Sequence, residues 1–84
     1  MKTGDVRDGP IRPFTRRQRE IAAQIHLGRS YAEIGAELGI SQHTVRAHVR
    51  LMGDLFPQLI DLPPRWRVYT WLEYQKWLDL NAGF

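Results

Sequence analysis

Eighty-four residues make one small domain that buries about two-thirds of its unfolded surface and leaves little room for an active-site cleft. With 43% hydrophobic and 25% charged residues the chain is ordinary globular material, and its lack of cysteine excludes a disulfide framework or cysteine-ligated zinc. Twelve basic against nine acidic residues, net +3, permit a polyanionic partner, while no apolar run approaches the roughly 18 residues of a membrane span and no signal-peptide core opens the chain. A cytoplasmic protein with no membrane partner is expected.

Residues 1–13 mix charges with glycine and proline and lack apolar periodicity, which reads as a flexible arm carrying Arg7 and Arg12. Thr15, with Gln18 three residues on, predicts a capping box and a first helix over about 15–27. Ile21, Ala22 and Ile25 form its inward stripe, whereas Arg16, Arg17 and Arg19 crowd the opening turn. Cations there oppose the helix dipole unless an anion lies nearby; a solvated cluster is the alternative.

Gly28 ends that helix, and Ser30 with Glu33 repeats the capping box for a second helix over 30–38. Ile34 and Leu38 point inward, with Tyr31 one turn before Ile34. Past the glycine turn at Gly39 and the apolar Ile40, Ser41 caps a third helix over 41–55. Val45, Val49 and Met52 fall at the i, i+4, i+7 spacing of a buried stripe, while His43, Arg46, Ala47 and Arg50 share the opposite side, with no acid between Ser41 and Arg50.

The connection PQLIDLPP, residues 57–64, leads through Pro63 and Pro64 to a last helix over about 65–81, stopped near Gly83. Projected at 100° per residue, Val68, Trp71, Leu72 and Leu78 gather on one side, and Trp66, Tyr69, Tyr74 and Trp77 fall mostly on the other. Two readings of the second face stand. Either it is a dimer or partner surface, or Leu55, Phe56, Leu59, Ile60 and Leu62 fold back over it and complete a monomeric core.

Gly35, Gly39 and Val45 are spaced as a helix-turn-helix requires: a residue of almost no size at the close approach, a turn residue tolerant of positive φ, and an apolar plug on the second helix. Such a unit lays its second helix in the DNA major groove, where the arginine fork matches the O6 and N7 of guanine and a small alanine permits close approach or contact with a thymine methyl. The expected base-facing residues are therefore Arg46, Ala47, Arg50 and His43. Arg7 and Arg12 of the arm would then reach a phosphate or a minor groove, against the plainer reading of a frayed terminus.

The stretch FTRRQREIAAQIHLGRSYAEIGAELGISQHTVRAHVR resembles the DNA-binding domain of LuxR-type transcription regulators over residues 14 to about 56. The likeness is carried by Thr15, Arg17, Arg19, Glu20, Gly28, Ser30, Glu33, Ile34, Leu38, Ile40, Ser41, Thr44, Val45, Arg46 and His48. It implies an all-α, four-helix helix-turn-helix domain over 14–84 that binds double-stranded DNA. It also implies base-facing Arg46, Ala47 and Arg50, with Gln42, His43 and Thr44 near backbone phosphates or flanking bases. Arg16, Arg17, Ser30, Tyr31 and Ser41 complete the expected backbone contacts. His48 stands where the family keeps a histidine; a hydrogen-bonded brace and a direct DNA contact are its two readings.

The chain departs from that family at Ala32, where a basic residue is usual, at Leu55 and Phe56, and in the long apolar connection 57–64, which leaves the angle of the last helix open. In the family the fourth helix commonly supplies the dimer contact, so Trp66, Tyr69, Tyr74 and Trp77 are expected to make a homodimer or to take a protein partner. No sensor segment is recognisable in the 84 residues, and a stand-alone regulator is expected. An adaptor that docks on a transcription-machinery protein through the aromatic helix is the rival reading.

No phosphate-cradling glycine loop, HExxH or placed nucleophile is present, so an enzyme is not expected, nor is a cofactor or small-molecule ligand. Glu20, Glu33, Glu37 and Glu73 read as helix solubility, and His26, His43 and His48 are not expected to converge on a metal.

Overall fold

Three hydroxyl caps open the first three helices of this computed structural model, which describes residues 14–81. These residues form α1 (Arg16–His26), α2 (Tyr31–Leu38), α3 (Gln42–Gly53) and α4 (Pro64–Asn81), with a 3-10 turn at Pro57–Leu59 and no strand. The arm expected over 1–13, with Arg7 and Arg12, and the stop expected at Gly83 lie outside the described residues. Thr15 Oγ1 accepts from the Gln18 amide at 3.1 Å while Gln18 Oε1 accepts from the Thr15 amide at 3.0 Å. Ser30 and Glu33 repeat the exchange at 3.1 and 2.8 Å, and Ser41 Oγ accepts from the Thr44 amide at 2.9 Å. Each cap satisfies amides that the first helical turn leaves without an intrahelical partner, worth about 1 kcal/mol apiece.

Ile21, Ala22, Ile25, Ile34, Val45, Val49 and Met52 close into one core with Phe14, Phe56 and Val68. Every inward position expected on α1 and α3 is buried, because helical periodicity puts those side chains on one stripe and burial contributes about 1.5–3 kcal/mol for each large aliphatic group. Gly39 carries the turn at φ +73°, a left-handed conformation that a Cβ disfavours. The close approach at Gly35 is to the turn rather than to the body of α3. A Cβ there would stand 2.6 Å from the Ile40 carbonyl oxygen and 3.2 Å from the Gln42 amide nitrogen.

Helix α3 ends at Gly53, two residues short of expectation. Asp54 caps it, and Phe56, the residue before Pro57, turns to φ −125° and ψ 65°, outside the helical region that a following proline disfavours. Pro64 then occupies the first position of α4, where a missing amide hydrogen costs nothing. The angle left open by the sequence is held by Arg67. Its Nε donates to the Leu62 carbonyl at 2.8 Å, its two terminal nitrogens reach the Gly53 and Ile60 carbonyls at 3.4 Å, and the Asp54 carboxylate stands 3.9 Å away. One half-buried guanidinium thus ties the end of α3, the connection and α4 together. Packing closes the same joint, since a Cβ on Gly53 would meet Pro64 Cα and Cβ at 2.9 Å.

The two readings of the aromatic helix divide between its residues. Phe56 is buried and stacks on Trp71 with centroids 5.0 Å apart, and Leu59 packs on the core, but Leu55 and Ile60 stay exposed. Tyr69, expected on the outer face, instead packs against the core and meets the His26 ring edge-on at 5.5 Å. A single helix projection misplaces it because α1 passes beside that flank of α4. Trp66, Tyr74 and Trp77 remain 49%, 54% and 58% exposed.

Candidate nucleic-acid interface

Helix α3 holds its base-facing candidates where the buried stripe forces them to be. With Val45, Val49 and Met52 sunk in the core, His43, Arg46, Ala47 and Arg50 emerge on the far side, and these four line one shallow groove of about 100 Å³. Gln42 and Thr44 are exposed at the same end. The Ser41 hydroxyl donates to Thr44 Oγ1 at 2.9 Å while accepting the Thr44 amide. Ser41 is therefore spent on the cap, and the hydroxyl proton left for an outside acceptor belongs to Thr44. Ser30 is likewise engaged in its capping box, whose two bonds with Ser30, backbone first, hold the Glu33 carboxyl below the usual range.

Tyr31, at the first position of α2, is half-buried rather than presented on the surface. Its ring lies 5.6 Å from the Arg46 guanidinium carbon and 5.2 Å from that of Arg65, the second residue of α4. Both distances are within cation–π range. Burial pushes the Tyr31 phenol up, against the opposing pull of Arg65 and Arg46, so the hydroxyl keeps its proton at neutral pH. A second groove of about 240 Å³, lined by Tyr31, Arg46, Val49, Arg50 and Pro64, adjoins the first through Arg46 and Arg50.

The remaining candidates are scattered around this centre. Arg16 is exposed on the first turn of α1, and Arg17 is paired with Glu20 at 3.2 Å. The His48 ring is half-buried, and no side-chain hydrogen bond joins it to another described residue. Tyr74 and Trp77 stack at 6.5 Å, continuing outward the series that starts from Phe14, Phe56 and Trp71. Glu73, read from sequence as a solvating surface acid, accepts a hydrogen bond from His26 Nε2 across α1 and α4, and that bond holds its carboxyl below the usual range. No local signal joins positions 47 residues apart. Arg65 and Arg67 carried no helix-face signal either, since only the path of the 57–64 connection gives them partners.

Among the described residues no group of three or more histidines and carboxylates converges on a metal position. None of the described helices is long and apolar enough to cross a membrane.

Two short helices crossing at a glycine turn, the second presenting an exposed cationic face free of acids, define a helix-turn-helix DNA-binding domain. The family model of the bacterial regulatory proteins of the luxR family matches residues 12–53, half of the chain, and the chain belongs to that family. No curated protein and no solved structure matches it. The matched region stops at the last residue of α3, so α4 and the connection before it lie beyond it.

Proposed function

We propose that this domain is a sequence-specific transcription regulator that lays α3 in the major groove of double-stranded DNA, acting in the cytoplasm. The observation that carries the reading is the single groove shared by His43, Arg46, Ala47 and Arg50 on the exposed side of α3. Arg46 and Arg50 read guanine edges, Ala47 allows the helix close to the bases, and His43 touches a flanking base. Gln42, Thr44 and Tyr31 contact the backbone, joined by Arg16, by the partly spent Ser30 and Ser41, and by Arg17, which exchanges Glu20 for a phosphate. Two copies pairing through Trp66, Tyr74 and Trp77, with Tyr69 behind them, would set two recognition helices about one DNA turn apart.

Selection from a random duplex library tests this directly. A defined site should emerge, and Arg46→Ala or Arg50→Ala should each cost about 1–3 kcal/mol of base discrimination with the thermal unfolding unchanged. Unaltered preference in both variants would remove the recognition assignment. The exposure of Trp66, Tyr74 and Trp77 favours a second reading, an adaptor that docks on a transcription-machinery protein. In that case Trp77→Ala abolishes capture of the partner while the two arginine changes do little.

A further inference from the structure

Arg46 and Arg65 come from different helices, yet both guanidinium groups rest against one half-buried tyrosine ring. Neither forms an ion pair with a described residue; the described pairs are Arg17 with Glu20, His26 with Glu73 and Arg67 with Asp54. Two like charges rest against one ring with no acid paired to either, and the ring supplies only part of the compensation. Arg65 is nevertheless held in place, because one of its terminal nitrogens donates to the Arg29 carbonyl at the end of the α1–α2 turn. A second bond joins it to the Tyr31 side chain, which leaves three of the five N–H donors of that guanidinium available. The 240 Å³ groove beside it is contiguous with the base-facing groove, and Pro64, the neighbour of Arg65, forms one wall.

Resting on the DNA-binding reading above, we infer that Arg65 binds a backbone phosphate of the same duplex, so that the first turn of α4 belongs to the DNA interface. The Tyr31 ring acts as a bracket: it holds Arg46 toward the bases on one side and Arg65 toward the sugar-phosphate chain on the other. An anion at this point is attracted by both cations, and the phosphate of a duplex seated on α3 is the anion that the adjoining groove brings near. Arg65 lies outside residues 12–53, which the family model matches.

The experiment measures binding of wild type, Arg65→Ala and Arg65→Gln to the selected duplex and to unrelated duplexes across a salt series. Both variants should keep the wild-type helical signal and a cooperative melt, and lose affinity about tenfold at roughly 0.1 M salt, equally on every sequence, with the log-log salt slope reduced by about 0.9. A scan of single methylphosphonate substitutions should find one phosphate whose neutralisation weakens wild type about tenfold and leaves Arg65→Gln unaffected. Wild-type binding with unchanged affinity and slope in Arg65→Gln overturns this inference alone. Failure of the wild-type chain to bind any duplex overturns the DNA-binding reading along with it. A loss confined to the selected site would also overturn the assignment, since a phosphate contact carries no base preference.

Discussion

Helices α1 to α3 and helix α4 meet the same burial requirement by different routes. Within the first three, each element has a hydroxyl cap or a glycine stop and a clean apolar stripe, so local sequence and final packing agree. Along α4, apolar and aromatic side chains lie on several sides, and among the side chains described there only Val68 is fully buried. Where local signals agree with the tertiary fold, the face of every residue can be read in advance. Where they do not, neighbours decide: Tyr69 turns inward against His26, Trp71 is covered by Phe56, and Trp77 stays outside.

This contrast can be broken most forcefully at Phe56, which joins the two regions through an edge contact with Phe14 at 6.0 Å and the stack on Trp71. Phe56→Ala should destabilise the domain by about 3–5 kcal/mol in urea unfolding. A loss below about 1 kcal/mol would mean that α4 is only loosely joined to the rest. Gly35→Ala comes next. Replacing a helical glycine ordinarily gains about 1 kcal/mol, but a Cβ 2.6 Å from a backbone oxygen cannot be relieved without moving the turn, so a net loss of about 1–3 kcal/mol is expected. A more stable variant would show that the turn yields freely. Ser30→Ala removes one cap bond of α2 and should cost about 1 kcal/mol, measured the same way.

The smallest effect belongs to the link between α1 and α4. The folded pKa of Glu73 lies below its unfolded value, chiefly through the His26 hydrogen bond. Its contribution to stability is therefore present above the ordinary carboxylate range and is lost as pH falls through the lowered folded value. Because Glu73 is solvent-exposed the change is small. Thermal melts should show Glu73→Gln closing part of its deficit against wild type as the solution is acidified through that range; parallel curves would remove the pairing.

The exposed face of α3 was legible in the sequence, because a buried stripe at Val45, Val49 and Met52 leaves His43, Arg46, Ala47 and Arg50 nowhere else to point. The caps at Thr15, Ser30 and Ser41 were equally legible, since a hydroxyl and its amide partner lie three residues apart. Less visible was which candidates were already occupied. Ser41 is spent on Thr44, Arg17 on Glu20, and Glu73 on a histidine from a distant helix.

From the chain itself came the helix count, the turn and the outward face of α3, because these follow from periodicity and from bonds between residues only a few positions apart. Tertiary structure alone decided the direction of α4, the inward turn of Tyr69 and the meeting of Arg46 and Arg65 on the Tyr31 ring. The direction of α4 is held in part by one guanidinium, that of Arg67, gathering carbonyls from Gly53, Ile60 and Leu62. A long-range bond of that kind exists only once the connection has taken its path, and no local pattern specifies the path.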